Sequence, residues 1–244
     1  MQLARSIAFM AYFVISILMT GTCAIPVILL APKTARPIAK AWARSNLFML
    51  KLLAGVGYKI EGAEHVPDFG ALVAANHQSQ WETMALYALL PRPVIILKKE
   101  LLRIPIYGWW LQQTGNIAVD RRGGAKALRA MRREAAARIA AGEQIVVFPE
   151  GTRSAVGERL SFQSGVAGIY KEVNGPCVPV AHNSGEHWRY PGILKTPGEI
   201  TLRFLPAIAP GLDRKEFLPT LQAQIEQARP DLEDATDHQE PSDD

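Results

Sequence analysis

His77 and Glu82 are the pair whose types and spacing could move a proton, within Asn76-His77-Gln78-Ser79-Gln80-Trp81-Glu82. Five residues across a strand-to-helix turn let a carboxylate meet one ring nitrogen, which fixes the imidazole tautomer and raises the basicity of the other. Such a pair is a general base with no nucleophile of its own. The same spacing also serves a surface pair with no chemistry, and the residues alone leave both readings open. A second polar stretch, Phe148-Pro149-Glu150-Gly151-Thr152-Arg153-Ser154, offers a grip for phosphate. Gly151 lets backbone approach a ligand closely, Thr152 and Ser154 add hydroxyl donors, and the planar fork of Arg153 matches phosphate oxygens. On its own it is equally a polar turn with one salt bridge.

Both stretches need a frame that aims them at one place. Apolar runs of strand length and β-branched content occur at Ala71 to Ala75, Val94 to Leu97, Asn116 to Val119, Ile145 to Phe148, Cys177 to Ala181 and Ile200 to Leu205. Between them lie helical patterns at Trp81 to Leu90, Ile106 to Gln113 and Ala125 to Ala141, the last ending at the C-capping residue Gly142. Asp213 to Ala228 reads as a terminal helix capped by Asp213, with Pro219 kinking it or marking a later start. Strands alternating with helices predict an α/β fold, with a mostly parallel central sheet flanked by helices and chemistry at the strands' carboxyl ends. His77 and Glu150 both fall at such ends.

The segment before this frame has a different texture. Ile7 to Leu30 is uncharged, long enough to cross a hydrocarbon core of roughly 30 Å, and weakened in its second half by Gly21 and Pro26. It reads as a membrane-anchoring helix that either spans or dips into one leaflet. Lys33, Arg36, Lys40 and Arg44 follow it, which orients the body toward the cytoplasm. Trp42 to Leu53 reads as an interfacial amphipathic helix ending at Gly55-Val56-Gly57. The expected organisation is an anchor over 1–57, a catalytic domain with its C-terminal helix over 58–229, and an acidic disordered tail over 230–244.

Charge and composition narrow the partners. The chain of 244 residues carries a formal +4, although seven acids and no Lys or Arg fall between Asp231 and Asp244, so residues 1–230 carry +11. A basic body suits an anionic lipid surface or a phosphorylated substrate. Its cations are not interleaved with exposed-looking aromatics, which argues against nucleic acid. Two cysteines, Cys23 and Cys177, are too few for a disulfide framework or a cysteine zinc site, and both read as small buried hydrophobes. His182 and His187, with Glu186, invite a metal reading, but neither a further ligand of matching spacing nor the His-Glu-x-x-His pattern occurs. Neither a phosphate loop ending in Lys-Ser or Lys-Thr nor Gly-x-Ser-x-Gly occurs.

Asn76-His77 followed by four residues and an acid resembles the first motif of the glycerolipid acyltransferases. Most of that family has Asp where this chain has Glu82, so ring position or backbone must absorb one methylene. Gly115-Asn116-Ile117-Ala118-Val119-Asp120-Arg121 resembles the second motif, Phe148 to Ser154 matches the third over seven consecutive residues, and Val178-Pro179-Val180-Ala181 resembles the fourth. Lys98-Lys99-Glu100-Leu101 resembles the family stretch that brings a lysine to the substrate head group. The motifs run in family order from 76 to 181.

The resemblance implies transfer of an acyl chain from an acyl thioester, on acyl carrier protein or coenzyme A, to the 2-hydroxyl of lysophosphatidic acid, giving phosphatidic acid. It implies His77 and Glu82 as the base dyad, Glu150, Gly151, Thr152 and Arg153 as binders of the glycerol phosphate end, and Arg121 and Lys99 as further head-group ligands. No cofactor is implied beyond the thioester co-substrate, and the expected location is the cytoplasmic face of a bacterial inner membrane. Two alternatives stand beside it: acylation of another lysolipid such as lyso-ornithine lipid, and a non-catalytic membrane protein that only binds lipid.

Overall fold

The five residues of Ala71–Ala75 (β2) are all buried, which only a strand covered on both faces allows. The computed structural model describes residues 1–120 and 122–231 and builds a seven-stranded sheet around β2. The other strands are Val56–Glu61 (β1), Pro93–Lys98 (β3), Ile117–Val119 (β4), Gln144–Val147 (β5), Cys177–His182 (β6) and Gly198–Phe204 (β7). Their order is β1-β7-β6-β2-β5-β3-β4. The five strands from β6 to β4 run parallel, while β7 is antiparallel to β6 and carries β1 parallel to itself.

Period-two alternation sends successive β2 side chains to two different cores. Ala71, Val73 and Ala75 face a cluster with Gln2–Leu30 (α1), Ala35–Met49 (α2) and Trp81–Leu89 (α3). Leu72 and Ala74 face a cluster with Gly124–Ala140 (α5), Ser164–Val173 (α6) and Arg214–Gln227 (α8). Tyr107–Gln113 (α4) and the short Ser184–His187 (α7) complete the helices among the described residues. The alternation of strands and helices thus follows the sequence expectation, with β1, α6 and the short α7 added to it.

The N-terminal segment packs closely on the body. Phe9, Ala43, Leu47, Leu50 and Ala54 lie in the same core cluster as the sheet. The helix ends at Gly55, within the Gly55-Val56-Gly57 stretch expected to end it, and Val56 and Gly57 open β1. α1 is long and apolar enough to cross a membrane by length and composition. One side of it is nevertheless seated on the body along its length. Ser6 bonds the backbone of Lys195, Phe9 and Phe13 meet Trp188 edge-on, and Ser16 accepts from Trp42. Gly21 is tight against Ile106, where a Cβ would come within 2.4 Å of the isoleucine side chain. The other side exposes Leu3, Ile7, Val14, Ile15, Leu18 and Met19. Cys177 is buried as expected, whereas Cys23 is exposed on α1.

Of the tail expected over 230–244, Pro230 and Asp231 are among the described residues. Asp231 is buried and paired with Arg229, an ion pair that holds the chain past the end of α8. Residues 232–244 lie outside the described residues.

Candidate active site

β2, β5 and β6 are neighbours and parallel, so the loops leaving their carboxyl ends emerge side by side. Those loops hold His77, Glu150 to Arg153, and Asn183 with Ser184. The end of β2 is locked to the end of β6 by a side chain that imitates strand pairing. Asn76 donates through Nδ2 to the His182 carbonyl at 3.0 Å and accepts from the His182 N–H at 2.9 Å.

Past that lock the chain turns through Gln78, Ser79 and Gln80 into α3, and the second helical residue, Glu82, reaches back over the turn. Its Oε1 meets His77 Nδ1 at 2.6 Å and accepts from Gln78 N at 3.1 Å and Ser79 N at 3.0 Å. Its Oε2 accepts from Ser79 Oγ at 2.7 Å and Ser184 Oγ at 2.8 Å. The additional methylene of Glu is thereby absorbed by the turn, whose N–H groups meet the carboxylate as they would a helix cap. Burial alone would raise this carboxyl. The hydrogen bonds from His77 and Ser79, together with the histidine charge, outweigh it and hold Glu82 well below the usual carboxylate range. Glu82 is therefore an anion at 0% exposure, and His77 is its partner.

The His77 ring is fixed from a third side by Phe148, stacked on it at 4.2 Å with 20° between planes. Ser154 N donates to the His77 carbonyl at 2.8 Å. His77 Nε2 has no hydrogen-bond partner among the described residues, and His77 lines a cavity of about 930 Å³. Glu150, Gly151, Thr152 and Arg153 line the same cavity, which continues between Trp42, Leu101, Trp110, Met131 and Ile169. The lining combines these polar residues with apolar ones, a composition suited to an amphiphile.

Arg153 is aimed by two contacts. Its Nε donates to the Ser79 carbonyl at 3.2 Å and its guanidinium sits 4.2 Å over the Tyr190 ring, so its remaining donors are without partners among the described residues. Gly151 adopts φ 72°, a left-handed turn that brings the loop backbone to the cavity wall. Glu150 accepts from His77 N at 3.2 Å through Oε1, while its Oε2 is buried without a partner among the described residues. Burial pushes the Glu150 carboxyl up to about 7, with the nearby Glu82 charge adding to the rise.

The remaining expected ligands are less central. Lys99 does not line the cavity: it opens a 3-10 turn, is exposed, and reaches Asp120 at 3.6 Å. Lys98, one residue earlier at the end of β3, is the lysine on the cavity wall. Arg121 lies outside the described residues. Pro179 is buried in β6 and takes no part in the cavity lining. No group of three metal-ligating side chains occurs among the described residues. His182 has a structural task instead. Its Nδ1 accepts from Ser184 N at 3.2 Å and its Nε2 donates to the Asn76 carbonyl at 2.7 Å, an arrangement open only to the neutral ring. Burial lowers its pKa in the same sense.

Ser79, Phe148 and Ser184 touch the dyad and were not expected to. The first two sit inside motif stretches. Ser184 carries no sequence signal, since its partner Glu82 is 102 residues away.

Three comparisons bear on what this site belongs to. A family model described as Acyltransferase matches residues 57–183. The 1-acyl-sn-glycerol-3-phosphate acyltransferase of Pseudomonas aeruginosa is 31% identical over 209 residues, covering 85% of this chain and 81% of that protein. The human 1-acyl-sn-glycerol-3-phosphate acyltransferase alpha is 30% identical over 168 residues, with 68% of this chain and 59% of that protein covered. The crystal structure of the 1-acyl-sn-glycerophosphate acyltransferase of Thermotoga maritima shares the fold, with a TM-score of 0.78 at 22% identity over 99% of this chain and all of that one. With a family match over more than half its length and a 31% identical relative spanning most of both chains, the protein belongs to the acyltransferase family and is an acyltransferase enzyme.

Proposed function

We propose that this enzyme transfers an acyl chain from an acyl thioester to the 2-hydroxyl of 1-acyl-sn-glycerol 3-phosphate, giving phosphatidic acid. The observation that carries the reading is the 2.6 Å contact between His77 Nδ1 and a buried, ionised Glu82 in a residue that lines the same cavity as Arg153. His77 Nε2 takes the proton of the acceptor hydroxyl while Glu82 balances the imidazolium. The oxygen attacks the thioester carbonyl, the tetrahedral intermediate collapses, and the thiolate leaves and takes the proton back from His77. Arg153 and Arg121 grip the acceptor's phosphate, which turns an encounter into a positioned reaction. Acyl carrier protein or coenzyme A carries the donor, and no further cofactor enters. The close dyad also favours this reading over a protein that only holds lipid.

Both acceptor and product are bilayer lipids, and α1 supplies a matching surface. At 29 residues it is about 43 Å long, yet its inner side is committed to the body from Ser6 to Ile28. That seating supports insertion of its apolar outer side into one leaflet, with the basic residues after it toward the cytoplasm of a bacterium. The test is thiol release by the purified enzyme with the acceptor present or withheld. His77→Ala is expected to stay folded and lose acceptor-dependent release, and undiminished turnover would end the base assignment.

A further inference from the structure

The turn that carries His77 is tied to a part of the chain the reaction does not use. Gln78 is the next residue, and its backbone N–H bonds the Glu82 oxygen that meets His77. Its side chain is clamped at both ends. Oε1 accepts from Gly185 N at 3.1 Å, and Nε2 donates to Asp231 Oδ2 at 2.8 Å. Asp231 Oδ2 also accepts from Gly157 N at 3.0 Å, in the loop that follows Arg153.

Asp231 is itself set by its neighbours. Arg229 donates to both of its oxygens, at 3.1 and 2.7 Å, and to the Glu158 carbonyl at 2.9 Å. Arg229 and Asp231 are 2% and 4% exposed, so this is a buried pair and not a surface contact. Their position follows from α8, whose Phe217, Leu221 and Ile225 are buried in the core beneath the sheet. One carboxylate therefore joins the end of α8, the 157–158 loop and the turn that holds the dyad.

We infer that Asp231, held by Arg229, is a positioning residue for the His77–Glu82 pair, acting through Gln78. Freed at one end, the Gln78 side chain can swing and carry with it the N–H that fixes Glu82 Oε1 and the backbone of His77. Misplacement of about 1 Å at a reacting group costs up to about a hundredfold in rate. The inference rests on the base assignment above, and the experiment separates the two.

The full-length Asp231→Ala and Asp231→Asn enzymes are assayed for thiol release with an acyl thioester and lysophosphatidic acid. For Asp231→Ala the expected result is a fall in kcat of about tenfold or more, with both KM values within about twofold of the parent. Asp231→Asn keeps one acceptor oxygen and is expected to recover part of the loss. If Asp231→Ala does not fold, Gln78→Leu carries the same expectation, because it removes the tie and leaves the Arg229–Asp231 pair whole. A kcat within about twofold of the parent in a folded variant overturns the assignment. A His77→Ala control that remained fully active would instead remove the base, so the two failures are told apart.

Discussion

Glu82→Gln is the perturbation that isolates charge from shape at the dyad. The amide fills the same volume and can keep its oxygen at the His77 Nδ1 position, 2.6 Å away in the parent. Its nitrogen then faces Ser79 Oγ and Ser184 Oγ, hydroxyls that turn from donor to acceptor. What is lost is the anion that offsets the imidazolium as the proton arrives. Two unit charges with centres about 4 Å apart attract by about 4 kcal/mol at an effective dielectric constant of about 20. If that attraction develops only as the proton is taken, kcat falls about 10³-fold, within the range of about 10² to 10⁴ that general bases contribute. The acceptor's KM is expected to hold, since the proposed head-group ligands are other residues. Release of thiol from the donor is followed with a thiol reagent, after blocking the exposed Cys23. A folded Glu82→Gln enzyme with more than about a tenth of the parent kcat would show that the carboxylate's charge is not what drives the base.

Glu150 makes stability depend on pH in an unusual direction. Its folded value of about 7 lies above its ordinary 4.5, so the folded chain binds this proton more tightly than the unfolded one. Stability from this group is present below about pH 4.5 and is lost as pH rises through about 7, at most about 3 kcal/mol in all. Glu150→Gln is expected to remove that slope and to melt higher relative to the parent at pH 8 than at pH 5. Identical pH dependence of the two melting curves would contradict the burial argument. For Arg153→Ala, at a residue that lines the cavity, the acceptor's KM is expected to rise about tenfold or more and the donor's to change little. Equal increases in both would reassign the loop.

The sequence was most informative where chemistry and local order coincide. β2 is a run of small apolar residues leading straight into Asn76-His77, and the Phe148 to Ser154 stretch follows β5 in the same way, so both loops could be assigned to strand ends before any pairing was known. What lay hidden depends on contacts between distant residues. β1 begins directly after the last helical turn of the α2 segment, and its strand character comes from pairing with β7, whose first partner Gly198 is far along the chain. The choice between Lys98 and Lys99 turns on where β3 stops and the 3-10 turn starts, a one-residue matter that periodicity does not resolve. Asp231 read as the first acid of the tail because its partner Gln78 stands 153 residues earlier. A carboxylate's burial is set by what folds over it, and no local pattern announces that.

The lock between Asn76 and His182 spans 106 residues, and Ser184 reaches Glu82 from just beyond it. A nascent polypeptide that has so far emerged only through its first two motifs therefore has its histidine but neither the clasp that shapes the turn nor the hydroxyl that steadies the acid. Both depend on β6 lying beside β2. A fragment that stops before β6 lacks both, and it is expected to be inert in the thiol-release assay.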